Sequence, residues 1–161
     1  MSEAICGIDL ATCMSAPDVA SLIRATLAEL RTIFEWKTRG RGRSRLEQNA
    51  PEEIEDALRL ALIARSERSA ISVLRGLAGV DVPVASAIMT AVDPKRYTIL
   101  DFRALFSLGV ERSFSSVRFY LTYLAACRRI AAAAGVDLRT LDRALWQYSK
   151  ENQRVRRVSE A

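Results

Sequence analysis

Apolar side chains recur at three- and four-residue spacing along most of this chain, the period of helices that bury one face. Val19, Leu22, Ile23, Leu27, Leu30, Ile33 and Phe34 form the first stripe and predict a helix from Pro17 to Trp36, capped by Ser15 or Asp18. A second helix is predicted after Asn49, a good cap, and ends near Arg65. Pro51 lies in its first turn with Glu52, Glu53, Glu55 and Asp56 behind it, where acids match the helix dipole. A third covers Glu67 to Leu77, with Ile71, Val73, Leu74 and Leu77 inward. Gly79 breaks it, and Asp81 caps a fourth helix over Val82 to Val92.

Asp93-Pro94-Lys95-Arg96 reads as a turn, because Pro94 pushes Asp93 out of helical geometry. Tyr97 to Leu100 is a short extended link, and Asp101 caps a helix reaching Leu108. A long helix from Ser115 to Ala134 stops at Gly135. The last, Leu138 to Lys150, is capped by Asp137 and points Leu141, Leu145 and Trp146 inward. Val, Ile and Thr never alternate as strands require. The expectation is one compact all-α bundle of six or seven helices over residues 16–150. A flexible N-terminal arm (1–15) precedes it, and a basic tail that frays (151–161) follows.

Composition narrows the chemistry. A length of 161 residues with half of them apolar suits a single core, and a net charge of +5 favours a polyanionic partner. Cys6, Cys13 and Cys127 form neither an even disulfide set nor a metal cluster, and Cys127 reads as a small buried residue. The chain has no histidine, which excludes histidine-based nucleophilic triads and argues against a zinc or iron–sulfur site. No metal or cofactor is expected. No apolar run approaches a membrane span and acid precedes base at the N-terminus, so a soluble, cytoplasmic protein is expected.

The stretch richest in chemistry runs from Leu74 to Ile88, with Leu77-Ala78-Gly79-Val80-Asp81-Val82-Pro83 at its centre, followed by Tyr97-Thr98-Ile99-Leu100-Asp101. Two short helices joined by an apolar-Gly-apolar turn aim backbone N–H groups and a helix N-terminus at one point, where a phosphate can sit. This pattern resembles the helix-hairpin-helix superfamily of DNA glycosylases, which includes endonuclease III, the adenine mismatch glycosylase and the 8-oxoguanine glycosylases. Leu77-Ala78-Gly79-Val80 matches the family hairpin, and Ala85-Ser86-Ala87 matches the small-residue face of its second helix. The resemblance covers Leu74 to Leu108. It implies that Gly79, Val80, Asp81 and Val82 contact DNA and that Asp101 is the catalytic carboxylate.

Two positions depart from the family pattern. Asp81 replaces the second hairpin glycine and puts an acid beside the expected phosphate, although it also suits an N-cap. Pro83 stands where bifunctional members carry a nucleophilic lysine, which excludes Schiff-base chemistry from that position. The implied activity is therefore monofunctional base excision, with water as nucleophile and Asp101 stabilising the oxocarbenium charge or deprotonating the water.

A second feature is Lys37-Thr38-Arg39-Gly40-Arg41-Gly42-Arg43-Ser44-Arg45, read as a flexible loop. Lys37, Arg39, Arg41 and Arg43 are its candidate phosphate contacts. Trp36 precedes it as a candidate stacking partner for a flipped base, and Lys37 is a replacement amine that nothing in the spacing requires. Each feature also has a structural reading: Asp101 as an N-cap, Gly79 as an ordinary turn, the basic run as a solvated loop, Trp36 as core. Tyr97, Tyr120 and Tyr123 read as core or rim. The alternatives to an enzyme are a catalytically inactive DNA- or partner-binding module and a plain helical interaction protein.

Overall fold

The computed structural model describes residues 19–110 and 116–159, and side chains within 29–110 and 116–153. The arm over 1–15, the caps Ser15 and Asp18, and Cys6 and Cys13 lie outside the described residues. All described secondary structure is helical: α1 (Val19–Thr38), α2 (Arg43–Leu46), α3 (Pro51–Ile63), α4 (Glu67–Leu74), α5 (Val82–Val92), α6 (Phe102–Ser107), α7 (Val117–Ala134) and α8 (Leu138–Ser159). No helix among the described residues is long and apolar enough to cross a membrane.

The centre of the molecule is α5. Val82, Val84, Ala85, Ala87, Ile88, Met89 and Val92 are all buried, as are Ser86 and Thr90. A helix apolar on every side has nowhere to go but the middle, and each fully buried Val, Ile or Met there contributes about 1.5–3 kcal/mol. Thr90 satisfies its hydroxyl on the Ser86 carbonyl one turn back, at 2.7 Å. Around α5 pack α1 and α4; α3 joins α1 to α4, and α7 bridges α4 to α8, against which α6 lies. One cluster runs through all of these, from Leu30 and Phe34 through Ile71, Leu74 and Ile88 to Tyr120, Leu124 and Leu141.

Several elements differ from the sequence reading, most by a residue or two at an end, and two of the differences bear on function. The first helix continues to Thr38, which moves Lys37 out of the basic loop and into a helical turn. The loop beyond it holds a further four-residue turn, α2, which raises the helix count above the six or seven expected. The helix expected to reach Leu77 ends at Leu74, and a chain of turns carries residues 75–80 to Asp81. The last helix runs on through the basic segment to Ser159.

Trp146 is also not inward, being 42% exposed. On α8 the buried positions are Leu138, Leu141 and Ser149 with Leu145 half-buried, a stripe at helical spacing. Trp146, about 100° further round the helix than Leu145, falls off that stripe.

The cap of α3 differs too. Ala50 occupies the cap position, and its N–H donates to Glu53 Oε2 at 2.7 Å. That frees Asn49 for another task.

Between α4 and α7 a charged knot closes the surface. Glu67 Oε1 accepts from Arg128 Nη2 at 2.9 Å and from Arg96 Nε at 3.2 Å. Arg128 Nη2 also donates to the Arg96 carbonyl at 2.6 Å. The hydrogen bond from Arg128, opposed by burial and aided by the Glu67 helix-start amide and Arg96, holds the Glu67 carboxyl down at about 2. Cys127 is buried and unpaired, and burial pushes its thiol up to about 11, as befits an inert core residue.

Candidate functional site

The link between α5 and α6 turns at 94–96 and then runs through four buried residues, Tyr97 to Leu100, whose backbone is fixed by four groups from three helices. Tyr120 Oη donates to the Thr98 carbonyl at 3.0 Å and Tyr123 Oη to the Ile99 carbonyl at 2.9 Å. The Leu100 N–H donates to Ser86 Oγ at 2.9 Å, while that hydroxyl donates to the Pro83 carbonyl at 2.8 Å. Lys37 Nζ donates to the Leu100 carbonyl at 2.9 Å. A buried segment outside regular structure must satisfy its peptide groups somewhere, and here that requirement ties the residue before Asp101 to both α5 and α1.

Asp101 follows as the N-cap of α6, its Oδ1 accepting the Arg103 N–H at 2.8 Å. Its other oxygen, Oδ2, accepts from Lys37 Nζ at 2.9 Å, across 64 residues of sequence. The Lys37 side chain is only 8% exposed and that of Asp101 23%. The carboxylate thus has a defined orientation and a cation beside it, yet still reaches solvent. An ion pair this sheltered is screened less than a surface pair, and its charge-assisted hydrogen bond is correspondingly stronger.

A second carboxylate lies within the field of this pair. Asp142 of α8 is raised above the ordinary aspartate range by burial first; Arg139 and Lys37 pull it down, and Asp101 pushes it up. Arg139 Nη1 donates to Asp142 Oδ2 at 2.6 Å. The Arg139–Asp142 pair on α8 therefore lies within the electrostatic reach of the Lys37–Asp101 pair, and α8 packs on α6, which Asp101 caps. In the sequence Asp142 is one more polar position of the last helix, whereas Asp137 stands out as its cap and does accept the Thr140 N–H at 2.6 Å.

The turn between α4 and α5 is built around Gly79 at φ +82°, a conformation side chains resist. It sits hard against the basic segment: a Cβ on Gly79 would lie 3.0 Å from the Leu46 nitrogen and 3.2 Å from Arg45 Cβ. Asn49 clamps the turn from the same side. Its Oδ1 accepts the Ala78 N–H at 2.8 Å, while Nδ2 donates to the Ala78 carbonyl at 3.0 Å and the Leu46 carbonyl at 2.8 Å. The sequence reading gave Asn49 a capping role and missed this one.

Of the four hairpin residues expected to hold phosphate, Val80 spends its N–H on the Leu77 carbonyl at 3.2 Å. The side chains of Val80 and Val82 are core. The exposed Asp81 turns Oδ1 onto the Val84 N–H at 2.9 Å, capping α5. Of these four residues, Asp81 is exposed and Gly79 half-buried.

The basic residues divide into two groups. Arg43 is already engaged, at 3.0 Å from Glu47 and 3.2 Å from Glu35, and Arg41 Nε donates to the Thr38 carbonyl at 3.1 Å. Arg39 and Arg45 are exposed and have no carboxylate within ion-pair distance among the described residues. Trp36 is 45% exposed at the end of α1, next to Lys37 and outside the core. A groove of about 570 Å³ lined by Leu30, Phe34, Leu46, Pro51 and Ile54 opens beside the basic segment and includes neither Lys37 nor Asp101. Among the described residues no group of three His, Cys, Asp or Glu side chains is arranged to hold a metal ion.

No family model, curated protein or solved structure matches this chain.

Proposed function

We propose that this protein binds DNA through the α4–α5 turn and the adjoining basic segment, as a helix-hairpin-helix unit, and hydrolyses the N-glycosidic bond of a modified base at Asp101. The observation that carries the reading is the 2.9 Å contact between Lys37 Nζ and Asp101 Oδ2. It fixes an acid reached by solvent at the end of a segment pinned by Ser86, Tyr120 and Tyr123.

In this mechanism the bond from the anomeric carbon to the base nitrogen breaks, and its electron pair leaves with the base. Positive charge develops on the sugar, and the oriented carboxylate stabilises it. Water then adds to the anomeric carbon and gives its proton to Asp101. Lys37 holds Oδ2 in place, while Oδ1 stays on the Arg103 amide. Gly79 and Asp81 offer backbone at the surface of the α4–α5 turn for a phosphate, with Arg45, which packs against Gly79, and Arg39 of the same basic segment to supply charge. Asp101→Asn keeps the shape of the side chain and removes its charge. Base release should fall by on the order of a hundredfold or more while DNA binding persists.

The same contact favours a second reading, in which Lys37 supplies the amine that Pro83 cannot. Its ammonium gives a proton to Asp101, and the free amine adds to the aldehyde carbon of an abasic sugar. Loss of water leaves an iminium, which borohydride reduces to a stable amine. Borohydride trapping on abasic DNA, with the adduct mapped to its peptide, tests this. An adduct on Lys37 that vanishes in Lys37→Arg supports lyase chemistry, whereas base release without any adduct leaves water as the nucleophile.

A further inference from the structure

One surface feature has no role in the site described above. The residue after Asp101 is Phe102, 59% exposed at the first turn of α6. Arg103 lays its guanidinium carbon 5.3 Å from the Phe102 ring centre and 5.2 Å from that of Trp146 on α8. One turn along α8, Lys150 Nζ lies 5.3 Å from the same indole. Ring, cation, ring and cation thus alternate in a ladder that starts beside the candidate catalytic acid.

Core packing does not account for this ladder. Both rings lie largely outside the core, and a cation over an exposed ring contributes only about 0.5–1 kcal/mol. Nor do the cations balance acids: among the described residues neither Arg103 nor Lys150 has a carboxylate within ion-pair distance. The chain as a whole carries net positive charge. Exposed rings interleaved with unneutralised cations suit a partner that offers flat π-faces joined by anions. An unpaired nucleic-acid strand has that alternation, and a closed duplex does not, because its base faces are stacked on one another.

We propose that the Phe102–Arg103–Trp146–Lys150 ladder binds unpaired nucleotides of the DNA strand beside Asp101, with bases on the two rings and phosphates on the two cations. This rests on the reading of the protein as a DNA-binding one. It extends that reading by naming where the strand lies and the form in which it is recognised.

The test is fluorescence anisotropy of a labelled oligothymidylate titrated with the full chain at several salt concentrations. Trp146→Ala should weaken binding by about tenfold or more, Phe102→Ala should act in the same direction, and Trp146→Phe should recover most of the loss. The salt slope should stay unchanged in these ring variants, while Arg103→Gln should lower it by about one phosphate contact. Circular dichroism confirms that the variants fold, as expected at exposed positions.

Ring variants that bind like the parent, or a parent chain that does not bind the oligonucleotide, would overturn the proposal. Release of a base that depends on Asp101, with unchanged binding in the ring variants, sinks the ladder alone. Ring-dependent binding without release from any duplex keeps the ladder and removes the glycosylase reading.

Discussion

Replacing Gly79 by alanine tests the contact that joins the α4–α5 turn to the basic segment. Two costs arise. The backbone sits at φ +82°, where a Cβ costs roughly 1–2 kcal/mol. Part of this is offset by about 0.4–1 kcal/mol through the stiffer unfolded chain. The added Cβ would also lie 3.0 Å from the Leu46 nitrogen and 3.2 Å from Arg45 Cβ. The neighbour on that side is backbone, which must move as a unit, and overpacking of this kind costs about 1–3 kcal/mol.

Gly40→Ala is the matched control, because Gly40 has φ +76° and nothing within 4 Å of its Cβ position. The two variants share the conformational cost and differ only in the contact. Gly79→Ala should lose about 2–4 kcal/mol and Gly40→Ala about 1 kcal/mol or less. Denaturant unfolding with unchanged slope measures both. In a chain of this size the larger loss should lower Tm by roughly 5–15 °C. Equal losses would mean that Arg45 and Leu46 do not rest on the α4–α5 turn, and the proposed joint DNA-binding face would go with them.

Two further predictions concern the groups that hold the site together. Asn49→Ala removes the three bonds to Ala78 and Leu46 and should cost about 2 kcal/mol, with faster hydrogen exchange at the Ala78 amide; unchanged exchange would refute the clamp. Glu67 is held at about 2 against an ordinary value of 4.5. A carboxyl depressed in the folded state adds stability above its unfolded value and loses it as pH falls through the folded one, so the loss should run from about 4.5 to about 2. With partners on a partly exposed surface the effect should be about 1–2 kcal/mol, absent in Glu67→Gln; an identical acid profile in that variant would contradict the assignment.

Periodicity made the helices legible because burial of one face is a local signal. Val82 to Val92 could be placed from its apolar run and from Asp81, which does cap it. The misses have a common cause in interactions that cross the fold. The turn Arg43–Leu46 has no apolar stripe, being held between two glycines and the hairpin. Asn49 precedes a helix beginning with proline, so in sequence a cap and a clamp look alike; only the position of Ala78 decides between them. Lys37 and Asp101 were both singled out as residues. Their pairing depended on α1 running on to Thr38 and on the docking of elements 64 residues apart, which no local pattern encodes. Asp142 comes within their field only through the packing of α8 on α6.

The central claim is most directly tested by base release from duplexes carrying uracil, alkylated, oxidised and otherwise modified bases, with the parent chain compared with Asp101→Asn. The account predicts release from at least one duplex, reduced on the order of a hundredfold or more in Asp101→Asn while DNA binding is retained. Release that survives Asp101→Asn would contradict the role of Asp101, and DNA binding with no release from any duplex would contradict the chemistry and leave a DNA-binding module.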